Sequence, residues 1–132
     1  MADTTSKTRI TEVGTVMVPV SDQDRALAFY TEKLGFEKRQ DTPYGEGQRW
    51  VEVAPAGADT AVALVPPREG DPVGVELPFG FNTTDVEADH AGLKESGVDV
   101  DAEIMRMGGG VPPMFMLRDP DGNTLMVVQR DE

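Results

Sequence analysis

The sequence contains no cysteine. Disulfides, Cys-ligated zinc and iron–sulfur clusters are therefore excluded. There is one histidine, His90, so a two-histidine, one-carboxylate iron site cannot be assembled within a single chain. No apolar run approaches the length that spans a bilayer as a helix, and no membrane partner is expected. Positive charge is scarce: 12 Lys and Arg stand against 24 Asp and Glu, for a net charge of −12. A field of that sign repels phosphate backbones, so nucleic acid is not an expected partner, whereas a cationic ligand suits it. No nucleophile elbow or dinucleotide fingerprint occurs. Gly108-Gly109-Gly110 lies between strands with no helix after it, which removes the usual phosphate cradle. The opening residues, Met-Ala-Asp-Thr-Thr-Ser-Lys, are polar and have no secretory h-region. Cytoplasmic residence is the default expectation.

What is present fits one globular domain over residues 1–132, with 39% hydrophobic residues. The organising feature is an internal duplication. Ser21-Asp22-Gln23-Asp24 returns as Thr84-Asp85-Val86-Glu87, 63 positions on. Each has the form of a capping box, a hydroxyl followed three residues later by an acid. Each follows an extended run, residues 13–20 and 78–83, and opens a helical pattern. The first helix carries Ala26, Phe29, Tyr30 and Leu34 on one face. The second carries Val86, His90 and Leu93. Gly35 and Gly97 stand as stops. Strands are predicted at 36–42, 47–54 and 60–66, then at 98–107, 111–118 and 124–130, separated by Gly- and Pro-bearing turns. The expected fold is α+β: two tandem βαβββ modules forming a curved mixed sheet with an open cleft. Module 1 covers about 10–67, the linker about 68–77 and module 2 about 78–131.

Two stretches carry a family resemblance. Val18-Pro19-Val20-Ser21-Asp22, with Arg25-Ala26-Leu27-Ala28-Phe29-Tyr30 and Leu34-Gly35-Phe36, resembles the opening of the vicinal-oxygen-chelate superfamily, which contains glyoxalases, bleomycin-resistance proteins and extradiol dioxygenases. Arg118-Asp119-Pro120-Asp121-Gly122-Asn123 resembles its closing hairpin. The resemblance brackets nearly the whole chain. It implies paired βαβββ modules and a cleft completed by sheet packing, in a homodimer or an equivalent tandem pair, of which a homodimer is expected here. Apart from any family, Asp-Pro-Asp-Gly is a hairpin device, with a turn-initiating acid, a fixed φ and a glycine free to take positive φ.

The resemblance also implies four cleft positions where enzymes of the family hold a metal. Here they carry Thr15, Ala63, Pro78 and Met126. Two hydrocarbon side chains, a hydroxyl and a thioether do not suit a hard or borderline divalent ion. No metal site and no cofactor are expected. His90, mid-helix, reads as a packing residue. Glu52 and Glu76 are the remaining carboxylate candidates.

Alternation along the strands sorts the side chains. If Val16, Val18 and Val20 face the helix, then Thr15, Met17 and Pro19 face the cleft, and Thr124, Met126 and Val128 do the same on the last strand. By the repeat, Pro78, Gly80 and Asn82 join them. Of seven methionines, Met105, Met107, Met114, Met116 and Met126 fall on strands of the second half. Flexible, polarisable walls of that kind accommodate variable ligands. Trp50 and Tyr44 supply stacking surfaces, and Arg49, Arg106 and Glu52 are possible polar anchors whose strand parity the sequence leaves open. The expected ligand-binding set is Thr15, Met17, Trp50, Glu52, Asn82, Met114, Met116 and Met126. The function expected from this set is binding of a small apolar or cationic molecule in a metal-free cleft. Two catalytic readings stand beside it. One is a metal-dependent glyoxalase-type lyase, isomerase or dioxygenase-like enzyme with a non-standard site. The other is metal-independent proton transfer by Glu52 or another cleft carboxylate.

Overall fold

The computed structural model describes residues 7–130. The polar residues 1–6, and residue 131 at the expected end of module 2, lie outside the described residues. The elements run β1 (Thr15–Pro19), α1 (Gln23–Ala28) continuing as a π-helical turn (Phe29–Lys33), β2 (Glu37–Tyr44), β3 (Gln48–Ala54) and β4 (Ala61–Val65). Then follow β5 (Glu76–Thr83), α2 (Val86–Glu95), β6 (Asp99–Val100), β7 (Met114–Arg118) and β8 (Thr124–Gln129). Strand, helix and three strands thus occur twice. Each set forms its own four-stranded mixed sheet, β1-β4-β3-β2 and β5-β8-β7-β6. The first pair in each sheet is parallel and the others antiparallel.

The duplication reaches the register. Met17 pairs with Ala63 and Val18 with Leu64. Sixty-three positions on, Gly80 pairs with Met126 and Phe81 with Val127.

Two local expectations are corrected. The helix caps are Asp22 and Asp85, one residue later than the hydroxyls. Their carboxylates accept from Arg25 N–H and Ala88 N–H, each at 3.0 Å. An N-cap acceptor must reach the third helical N–H, and only the aspartates stand at that distance. Asp24 and Glu87 lie in the first turns, where the helix dipole favours negative charge. The strand expected at 98–107 shortens to Asp99–Val100, with Met105 rejoining Met114 through an isolated bridge. Asp101 breaks the ladder. Its carboxylate accepts from Met116 N–H at 3.1 Å and from the Arg118 guanidinium at 2.8 Å, a side-chain alternative to strand pairing.

Val18, Val20, Val51, Val53 and Leu64 of the first sheet bury their side chains in one cluster with Phe115, Leu117, Leu125 and Val127 of the second. Ala26 and Tyr30 of the first helix and Val86 of α2 complete it. Each buried Val, Leu or Phe side chain of this cluster contributes about 1.5–3 kcal/mol relative to exposure. Phe36 and Phe81 meet edge to face across the module boundary at 5.2 Å. The Tyr30 hydroxyl, fully buried, donates to Asp119 Oδ2 at 2.9 Å. Burial, then the Asp119 charge, raises its phenol far above the ordinary tyrosine range. Both sheets therefore present their helix sides to a shared core. Among the described residues, no helix is long and apolar enough to cross a membrane.

Candidate functional site

Because Val51 and Val53 are buried in the core, their neighbours on β3 point to the other face. Trp50 stands opposite Thr42, and Gln48 opposite Tyr44. Glu52 stands opposite Gln40 on one side and Ala63 on the other. Ala63 in turn pairs with Met17. The open face of the first sheet thus brings Met17, Trp50 and Glu52 together, with Thr15 at its end. Trp50 Nε1–H donates to Glu52 Oε2 at 2.6 Å, which fixes the indole plane and holds the carboxylate. Met17 is 57% exposed and Tyr44 50% exposed.

Arg49 falls on the opposite face. Its guanidinium bridges Asp24 at the start of α1 and Asp41 of β2, both at 2.9 Å. That pairing, chiefly its hydrogen bonds from Arg49, holds the Asp41 carboxyl below its ordinary range. Arg106 is paired with Glu87 of α2. Neither arginine is a cleft anchor.

A groove of about 650 Å³ lies over this open face. Met17, Tyr44, Gln48, Trp50 and Val65 form its sheet side, and the connector after β4 (residues 66–75) with the start of β5 (residues 76–78) supplies the other wall. Beyond Trp50 a smaller hollow of about 370 Å³ continues to Gln40 and Thr42. Asp71 and Glu76 border the groove, with Arg68. The Arg68 backbone N–H, then its side chain, lowers the Asp71 carboxyl from its ordinary value. The linker wall was not anticipated from sequence, where the segment reads only as a connector. Three prolines, at 66, 67 and 72, were the available signal, because fixed φ angles make a connector a semi-rigid wall.

The second sheet also turns an open face outward. Met116 pairs with Met126, which pairs with Gly80, and Met114 adjoins Met105 through the bridge. Arg118 on this sheet is held by Asp99 and Asp101. Asn82 pairs with Val128. It borders a separate cavity of about 380 Å³ at the seam of the two helices, with Phe36, Phe81 and Leu93. Of the eight expected ligand-binding residues, the groove takes Met17 and Trp50. Thr15 and Glu52 lie beside them on the same face. Asn82, Met114, Met116 and Met126 belong to the other sheet. With both helix sides feeding one core, the two open faces point away from each other, and one chain does not bring the two halves of the set together.

The positions that would hold a metal can be tested on their chemistry. The strand neighbours there are Thr15 with Ala61, Met17 with Ala63, and Gly80 with Met126. A hydroxyl, thioethers and hydrocarbon groups do not fit a divalent ion. Among the described residues there is no group of three or more His, Cys, Asp and Glu side chains placed to hold one. His90 packs as expected: its Nε2–H donates to the Asp101 carbonyl at 2.7 Å, and its ring meets Phe115 edge to face at 5.0 Å.

Comparison with known proteins agrees with this architecture. The model of the Glyoxalase/Bleomycin resistance protein/Dioxygenase superfamily matches residues 12–127. The chain belongs to this superfamily. One relative is the uncharacterized protein YetH of Bacillus subtilis (strain 168), 34% identical over 120 residues, or 89% of this chain and 98% of that protein. Among solved structures, a superfamily member from Sphaerobacter thermophilus DSM 20745 superposes with a TM-score of 0.85 at 35% identity, covering 92% of this chain and 98% of that one. TnmS3, an antibiotic binding protein from Streptomyces sp. CB03234, gives a TM-score of 0.81 at 40% identity over the same shares of the two chains. Superfamily membership accounts for the paired modules and their common register. It does not assign a reaction, since the fold hosts several chemistries.

Proposed function

We propose that the protein is a single superfamily domain that binds a small apolar or cationic molecule in a metal-free cleft, and that a homodimer completes the cleft. The observation that carries the proposal is the open face of the first sheet: Met17, Tyr44 and Trp50 around a groove of about 650 Å³, with Glu52 fixed by the indole. Aromatic and thioether walls give an apolar ligand area to bury, and a stacked ring on Trp50 adds about 0.5–1.5 kcal/mol. The carboxylates of Glu52, Asp71 and Glu76, under a net charge of −12, favour a cation. The likeness to TnmS3, an antibiotic binding protein, supports the same reading.

The division of the expected site supports the dimer. Thr15, Met17, Trp50 and Glu52 lie on one outward face, and Met114, Met116 and Met126 on the other. A second copy laying its methionine face over the first copy's groove reunites the set, and two-fold symmetry then builds two equal clefts. Residence in the cytoplasm belongs to the same proposal and rests on the cysteine-free composition.

The test is a titration of a panel of apolar and cationic aromatic compounds, read by the fluorescence of Trp50, the only tryptophan. Saturable binding of at least one compound at one site per chain, with a dimer in sedimentation, is the expected result. A panel without saturable binding overturns the reading. Nickel, zinc or cobalt retained at one ion per chain or per dimer would instead revive a lyase or isomerase.

A further inference from the structure

We infer that the closing hairpin of the second module, acting through Asn123, sets the width of the groove on the first module. The consequence for a ligand rests on the binding proposal above; the geometry can be tested without any ligand.

Asn123 is 0% exposed, and its amide is used at both ends. Oδ1 accepts from Gly74 N–H at 2.9 Å. Nδ2 donates to the Pro19 carbonyl at 2.9 Å and to Asp119 Oδ2 at 3.0 Å. One side chain therefore ties the end of β1, the linker and the hairpin together. The linker is held at this point by two further constraints. Thr124 N–H donates to the Val75 carbonyl at 3.0 Å. Gly74 has φ +81°, and a Cβ there would stand 2.8 Å from the Asp121 carbonyl oxygen, a backbone atom that cannot swing aside.

The residues after this pin, Val75, Glu76, Leu77 and Pro78, are groove wall. The linker leaves β4 through Pro66 and Pro67, and an Arg68–Asp71 turn stiffens its middle. A strap held at both ends and carrying three fixed φ angles, at Pro66, Pro67 and Pro72, has few ways to bow. Asn123 does not line the groove; it is a positioning residue whose hydrogen bond decides how far the wall stands from Met17 and Trp50.

The test compares Gly74→Ala with Gly57→Ala. Gly57 also has positive φ (+79°) but has nothing within 4 Å of its would-be Cβ, so it carries the backbone strain without touching the strap. Acrylamide quenching of Trp50 reads the groove, and fluorescence anisotropy of rhodamine 6G, a planar cation, reads binding. Gly74→Ala is expected to raise the quenching constant about twofold and weaken rhodamine 6G binding about tenfold. Gly57→Ala should leave both at parent values. Unchanged quenching in folded Gly74→Ala overturns the inference, whatever happens to the dye. Raised quenching in a protein whose parent never binds the dye upholds the pinned wall and counts against the binding proposal.

If Gly74→Ala does not fold, amide hydrogen exchange in the parent protein decides. Protection of Gly74 N–H comparable to the β8 amides is expected. Exchange at the rate of a free loop overturns the inference.

Discussion

The two modules share a backbone plan and differ in what they place on it. Registers 63 positions apart coincide at Met17–Ala63 and Gly80–Met126. The first open face carries Trp50, Tyr44 and Glu52 under a proline strap, whereas the second carries Met114, Met116 and Met126 beside Gly80. The helices diverge as well. The first ends in a π-helical turn that buries Tyr30 against Asp119, while the second remains α-helical and packs His90 on Phe115. The inward faces of both sheets are apolar, as a common core requires. The outward faces, free of that constraint, have separated into an aromatic, acidic wall and a methionine wall.

Five substitutions would break or sharpen this contrast. The largest effect is expected for Phe115→Ala, which empties the centre of the second module. A loss of about 3–5 kcal/mol is expected by chemical denaturation. Because both modules share one core, Trp50 fluorescence on the first module should follow the same single transition as circular dichroism. Separate transitions would mean two independent cores. Next, Trp50→Ala should weaken binding of the best panel compound about 30-fold, the effect of losing a 2 kcal/mol anchor, with little change in stability. Met116→Ala should weaken it less, about threefold. An effect of Met116→Ala confined to conditions that keep the protein dimeric would tie the methionine wall to the partner's groove.

Tyr30→Phe should cost about 1.5 kcal/mol, at the modest end because Asp119 keeps the N–H donors of Asp121 and Asn123. It should also change the alkaline limb. The folded phenol is raised, so the stability it contributes is complete below its ordinary value of 10.0 and declines as pH rises beyond it, when the unfolded chain ionises first. The parent should lose stability faster than Tyr30→Phe as pH rises from about 10 to about 12. Equal slopes would show that the phenol is not held neutral. The smallest effect belongs to Arg49→Gln. Arg49 lowers the Asp41 carboxyl, so the stability from that pair is present above 3.8 and fades as pH falls through the lower, folded value. The pair lies at the surface, and at neutral pH the melting temperature should hardly move. A large shift there would show that Arg49 orders α1 through Asp24.

Much of the architecture was legible because it is periodic. Two capping segments 63 positions apart, alternation on β1, β5 and β8, and an Asp-Pro-Asp-Gly turn are local patterns with local physical causes. Where a side-chain hydrogen bond competes with the backbone, that legibility ended. Asp101 cut short a strand that looked continuous, and the caps moved onto Asp22 and Asp85. Parity at Arg49, Trp50 and Glu52 could not be read, because the β2–β3 hairpin shows no clean alternation. The burial of Val51 and Val53 decides it.

Composition and short-range pattern alone determined that this chain carries two βαβββ modules and that, within one chain, it cannot build a cysteine site or a two-histidine iron site. Only the tertiary structure decided which residues share a surface. It turned the two open faces away from each other, sent Arg49 to the helix side and made a proline-rich connector the wall of a groove. The physical reason is range. Alternation and capping act over a few residues, whereas a cleft wall is fixed by contacts such as Asn123 to Gly74 and Pro19, between segments far apart in the chain.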